Sequence, residues 1–97
     1  METPPSAPPE IHDPWIAKFL AHLATDRGAS EFTQRNYRQA LLEFARWHLT
    51  ERKAAAAWEK LQRDDFRSYL RYLGRSHLSR AATALRFSAL RTFYKFL

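Results

Sequence analysis

The sequence has no cysteine, which excludes a disulfide framework, a thiolate zinc site and a cysteine nucleophile. It has only two glycines, Gly28 and Gly74, and so no glycine-rich loop to cradle a phosphate. No stretch approaches the roughly 20 apolar residues of a membrane span. The N-terminus lacks the basic start and apolar run of a secretory signal. These absences are compatible with a reducing cytoplasm, and no membrane partner is expected. His12, His22, His48 and His77 are scattered, with no pair at the i, i+4 spacing of metal ligands. The serines lack a G-x-S-x-G setting. Asp64 and Asp65 are adjacent, so on a helix they point different ways and suit a helix start better than a paired-carboxylate site. No catalytic residue, cofactor or metal is expected in this chain.

A further absence concerns charge of one sign. Residues 66–97 contain no acid, but they hold Arg67, Arg71, Arg75, Arg80, Arg86, Arg91 and Lys95. Residues 1–65 are nearly balanced, with nine Lys/Arg against ten Asp/Glu. The net charge of +6 is therefore concentrated in the last third. Such asymmetry suits a polyanionic partner, nucleic acid before anionic membrane. A merely solvated basic helix face is the plainer reading of the same charges.

What is abundant is aromatic. Seven Phe, four Tyr and three Trp in 97 residues can supply the burial that one modest core needs. Met1 to His12 carries Pro4, Pro5, Pro8 and Pro9, which bar a helix, so residues 1–12 read as a disordered tail that buries nothing. Asp13-Pro14 is a helix start, and Trp15, Ile16, Phe19, Leu20 and Leu23 recur at helical spacing up to a stop at Gly28. Ser30 caps a second helix over Glu31 to Leu49. Its inward stripe is Thr33, Tyr37, Ala40, Leu41, Phe44, Trp47 and His48. Arg35, Gln39 and Arg46 fall on the other side, with Asn36 and Glu43 beside them. Leu42 and Phe32 also point outward, which is common where a helix meets a partner.

Residues 50–60 read as a connector, with a short helical piece ending near Trp58. Leu61 tucks inward. A third helix follows over Arg63 to Gly74, burying Phe66, Tyr69, Leu70 and Leu73. Ser79 caps a fourth, over Arg80 to Leu97. Its apolar arc is Leu85, Phe87, Ala89, Leu90, Phe93, Tyr94, Phe96 and Leu97, and opposite runs a strip of Arg80, Ala84, Ser88, Arg91 and Lys95. Arg86 lies toward the apolar arc and must snorkel or pair. The fold class is thus all-α, a compact four-helix domain over 13–97. Two of its helices present Arg, Asn, Gln, Ser and Thr, the side chains that hold phosphates and read base edges. Ser30 and Ser79 begin helices whose free N–H groups suit a phosphate, although each also reads as a simple cap. Tyr37, Phe93 and Tyr94 read as core aromatics, and Arg38, Arg67 and Arg71 as solvated.

Ser30-Glu31-Phe32-Thr33-Gln34-Arg35-Asn36-Tyr37, with Leu41 and Phe44, resembles the S-x-x-T-x-x-x-Y-x-x-x-L-x-x-F segment of the tyrosine recombinases. Arg86-Phe87-Ser88-Ala89-Leu90-Arg91-Thr92-Phe93-Tyr94-Lys95-Phe96-Leu97 resembles the end of the same domain in Xer-type recombinases and phage integrases. Leu61 to Leu70 is similar to the family's third-helix entry. The resemblance runs from about Trp15 to Leu97. It implies a SAM-like core-binding domain that forms half of a clamp on double-stranded DNA, with its second and fourth helices against the major groove. Matched onto this chain, it implies DNA contacts by Thr33, Arg35, Asn36 and Gln39 on the second helix. On the fourth it implies Ser79, Arg80, Arg86 and Ser88, and the outward strip adds Arg91. Departures are Ala82 where the family often has Thr, Leu85 where it often has a basic residue, and Gln62 where a capping Thr is usual. Family members continue into a catalytic domain; this sequence stops at Leu97, where the linker to it would begin, so the catalytic domain is expected to be absent from this chain. Partners would be that domain, further recombinase protomers and DNA, in the cytoplasm of a bacterium or on its nucleoid. Two alternatives remain at this stage: a helical protein-interaction domain, and a stand-alone regulator of helix-turn-helix type using residues 74–79 as its turn.

Overall fold

A computed structural model describes residues 11–97. It contains four α-helices among those residues: α1 (Pro14–Thr25), α2 (Glu31–Arg52), α3 (Arg63–Arg75) and α4 (Arg80–Phe96). A single 3-10 turn, Trp58–Lys60, interrupts the connector between α2 and α3. The expected tail lies outside the described residues except at its last two positions. There the expectation of no burial is corrected, because Ile11 is half-buried and packs against the core.

The helix starts follow from the caps. Asp13 accepts from the Trp15 and Ile16 N–H groups at 2.9 and 3.3 Å, and Pro14 follows where its missing N–H removes no bond. Ser30 accepts from the Thr33 N–H at 3.1 Å, and Ser79 from the Ala82 N–H at 3.1 Å. At the start of α3 the Gln62 N–H donates to the Asp65 carboxylate at 2.9 Å, so an acid three residues on does what a capping Thr would share.

The helix ends differ more from the sequence reading. α1 stops at Thr25 rather than running to Arg27, and Gly28 takes φ 58° in the turn that follows. α2 continues past Leu49 to Arg52, and the left-handed residue that ends it is Lys53, φ 58°. The His48 ring bonds the Ala54 carbonyl at 2.8 Å and holds that exit in place. Gly74 is not the stop of α3. The helix passes through it to Arg75, Ser76 bonds back to the Tyr72 carbonyl through both its N–H (3.1 Å) and its hydroxyl (2.9 Å), and His77 takes the positive φ.

One aromatic core joins the four helices. Phe44 of α2 meets Trp47, Trp58, Phe66 and Tyr69 at centroid distances of 5.6, 5.5, 5.7 and 4.8 Å. Phe93 of α4 sits edge-on to Phe19 at 5.3 Å and to Trp58 at 4.7 Å. Phe44, Trp47, Tyr69, Leu90 and Phe93 are all buried. Trp58 is buried as well, although it belongs to the connector and begins the short turn rather than ending it. Four expected core residues are exposed instead: Trp15, Leu70, Leu85 and Leu97. Trp15, Leu70 and Leu85 sit at the margins of their apolar arcs, where a wheel based on one period cannot separate the rim from the centre, whereas Leu97 falls mid-arc by period but follows Phe96, the last residue of α4. Leu42, expected outward, is half-buried against the core.

Candidate nucleic-acid interface

α2 packs against both α1 and α4, and one polar contact bridges it to α4. The Arg86 Nε donates to Glu43 Oε2 at 2.7 Å, and a terminal nitrogen of the same guanidinium donates to the Ala82 carbonyl at 3.0 Å. Both side chains are shielded, with 16% and 29% of their surface exposed. Arg86 therefore pairs rather than snorkels, and it joins the two helices expected to carry the interface. Tyr69 lies beside this pair: burial and then the Glu43 carboxylate push its phenol well above the ordinary range, partly offset by Arg86.

The expected α2 residues lie in the half N-terminal to Glu43. Asn36 and Gln39 stand seven and four residues before Glu43, so all three share one side of the helix, with Arg35 next to them. Arg35 and Gln39 are exposed, and Asn36 is half-buried. Thr33 is half-buried and engaged locally, its hydroxyl accepting from the Ser30 hydroxyl at 3.1 Å. Arg46, expected on the outward side, is half-buried, and its Nε is buried without a partner among the described residues. It lines a cleft of about 400 Å³ with Glu43, Trp47, Tyr72 and Arg86.

On α4, Ser79 and Arg80 are exposed at its start, Ser88 is half-buried and Arg91 is exposed. Arg80 and Arg91 are six and five residues from Arg86, which turns them by about 120° and 140° from it. They lie on the side of α4 away from the Glu43 contact. Neither has a carboxylate partner among the described residues, whereas Arg52 and Arg86 pair with Asp65 and Glu43. Arg91 also borders a groove of about 200 Å³ between α3 and α4, lined by Phe66, Phe87, Leu90 and Tyr94. The structure thus ties α2 to α4 at Glu43–Arg86 and leaves Arg35, Gln39, Arg80 and Arg91 in solvent.

Other chemistry is sparse. No group of three or more His, Asp or Glu positioned to hold a metal occurs among the described residues. No helix among the described residues is long and apolar enough to cross a membrane. Tyr94 donates its hydroxyl to the Trp58 carbonyl at 2.6 Å, and burial raises its pKa to about 12.

The family model for the phage integrase N-terminal SAM-like domain matches residues 16–97. The chain is 39% identical over 83 residues to a tyrosine recombinase XerC of Shewanella amazonensis, covering 86% of this chain and 26% of that protein. It is 35% identical over 78 residues to a tyrosine recombinase XerC of Staphylococcus aureus, covering 80% of this chain and 25% of that protein. The chain therefore spans about a quarter of the length of these relatives. No solved structure matches it.

Proposed function

The chain belongs to the phage integrase N-terminal SAM-like domain family, and from that premise we propose that it grips duplex DNA at a recombination site through α2 and α4. The observation that carries the reading is the contrast between cations that are paired and cations that are unpaired among the described residues. Arg86 is spent on Glu43, which sets α2 against α4, while Arg35, Arg80 and Arg91 stay exposed. Exposed arginines without carboxylate partners are free to neutralise phosphates. Asn36 and Gln39 carry amides that match adenine edges. Ser79 caps α4 and leaves the free N–H groups of its first turn beside Arg80. Thr33 and Ser88 complete the polar set, and Arg86 contributes by holding the two helices in register.

In this reading the chain supplies binding and not strand cleavage. The relatives' remaining three-quarters would supply the catalytic domain, and further protomers would complete the recombining assembly on bacterial or phage DNA in the nucleoid. Fluorescence anisotropy with labelled duplex across a salt series tests it. Binding is expected to be weak and to fall steeply with salt, since each neutralised phosphate releases counterion. Arg80→Ala or Arg91→Ala should flatten the log–log salt slope by up to about one unit each. Asn36→Ala or Gln39→Ala should alter sequence preference and leave the slope in place. A slope unmoved by either arginine substitution would refute the reading.

A further inference from the structure

We propose that Phe32 is a specificity residue of this interface, its ring packing on the C5 methyl groups of thymines in the major groove; the proposal rests on the DNA-binding reading above. Phe32 is 68% exposed, more than any other large hydrophobic residue among those described. It belongs neither to the core nor to the half-buried residues packed around it. Nothing in the packing of the described residues accounts for a phenyl ring at that position.

Its place on α2 does. Asn36, Gln39 and Glu43 follow it at steps of four, three and four, so the ring begins the stripe that leads to the Glu43–Arg86 contact with α4. Arg35 and Asn36, three and four residues on, are its neighbours on the helix surface. The ring is carried by a fixed turn, since Ser30 accepts from the Thr33 N–H at 3.1 Å on either side of it. A cation for phosphate, amides for adenine edges and one apolar group therefore stand together. An A·T pair presents just this apolar feature, the thymine methyl, and it is the one base-edge group in the groove that a phenyl ring recognises and an amide does not. Burying the ring there takes apolar surface from water that the free chain leaves exposed.

The test uses the whole chain, and duplexes recovered with it from a randomised pool. Each recovered duplex is remade with thymine or with deoxyuridine, which differs only by the missing methyl. Wild type should bind the thymine form about fourfold more tightly per contacted methyl, which is a transfer free energy of about 0.8 kcal/mol. Phe32→Ala should bind both forms alike and keep its salt slope and its dependence on Arg80. Phe32→Leu should keep part of the thymine preference. The thermal midpoint of Phe32→Ala should stay at the wild-type value, because the ring is outside the core. Equal thymine-to-deoxyuridine ratios in wild type and Phe32→Ala, with Arg80-dependent binding intact, would overturn the proposal and leave the DNA reading standing. Loss of Arg80 dependence in wild type would instead bring down the DNA reading, and this proposal with it.

Discussion

The Trp58 indole N–H donates to Asp13 Oδ2 at 2.7 Å and joins residues 45 positions apart in the chain. The other oxygen of the same carboxylate accepts from the Trp15 and Ile16 N–H groups and starts α1. The Trp58 carbonyl in turn accepts from Tyr94 of α4. One acid thus caps a helix and anchors the connector, and the connector is tied to the last helix.

Asp13→Ala should remove both functions. A lost cap costs about 1 kcal/mol, and a buried indole donor left unpaired about 1–3 kcal/mol more. Asp13→Asn keeps an acceptor for the cap and should cost less. Urea unfolding at unchanged m-value measures the difference. An Asp13→Ala midpoint equal to that of wild type would show that the anchor contributes nothing to stability.

Phe93→Ala opens the centre of the core. The side chain is fully buried and touches Phe19 from α1 and Trp58 from the connector. The expected cost is about 3–5 kcal/mol, which brings a domain of ordinary stability to the edge of unfolding. Circular dichroism should show lost helix or a sharply lowered melting temperature. A silent substitution would mean that α4 is rotated from the phase described.

The sequence made the helix starts legible because caps are local chemistry. Asp13, Ser30 and Ser79 each bond to N–H groups within three residues, and each lies where a polar residue precedes an apolar period. The ends of α2 and α3 were less legible because they close without the usual glycine: Lys53 and His77 take the left-handed conformation, and Gly74 stays helical. Trp58 was unreadable as a core residue, since the groups around it, Phe44, Phe93 and Tyr94 on its ring and Asp13 on its N–H, come from other elements of the chain. In the candidate site, the outward placing of Arg35, Gln39, Arg80 and Arg91 followed from period alone. The pairing of Arg86 with Glu43 did not, because periodicity finds the face of a helix and not the helix that meets it.

Tyr94 should be structural and not a nucleophile. Its hydroxyl is engaged with the Trp58 carbonyl, and burial raises its pKa to about 12. A phenol raised in the folded state favours folding fully below its unfolded value of about 10 and loses that contribution as pH rises through its folded value. Stability should therefore be level up to about pH 10 and decline between pH 10 and 12 on this account, less so in Tyr94→Phe. Suicide DNA substrates should give no covalent adduct with the chain. An adduct mapped to Tyr94 would contradict the structural role.

The arginines of α3 and α4 provide the sharpest separation of roles. Arg86 is shielded and bonded to Glu43, so Arg86→Ala should lower stability by about 1.5–3 kcal/mol, as loss of a charged, part-buried hydrogen bond does. Glu43→Gln keeps an acceptor of similar shape and should cost less. Neither should flatten the salt slope as Arg80→Ala does, because Arg86 is committed within the fold. Arg67 is exposed on α3, outside the two helices proposed to meet DNA, and Arg67→Ala should change neither stability nor slope appreciably. The four variants, each measured by urea unfolding and by anisotropy across salt, give a two-way pattern. Positioning residues move the first measurement, phosphate contacts move the second, and a solvated residue moves neither. Equal slope changes for Arg67→Ala and Arg80→Ala would mean that the basic third of the chain attracts DNA as a diffuse charge, and the two-helix interface would have to be abandoned.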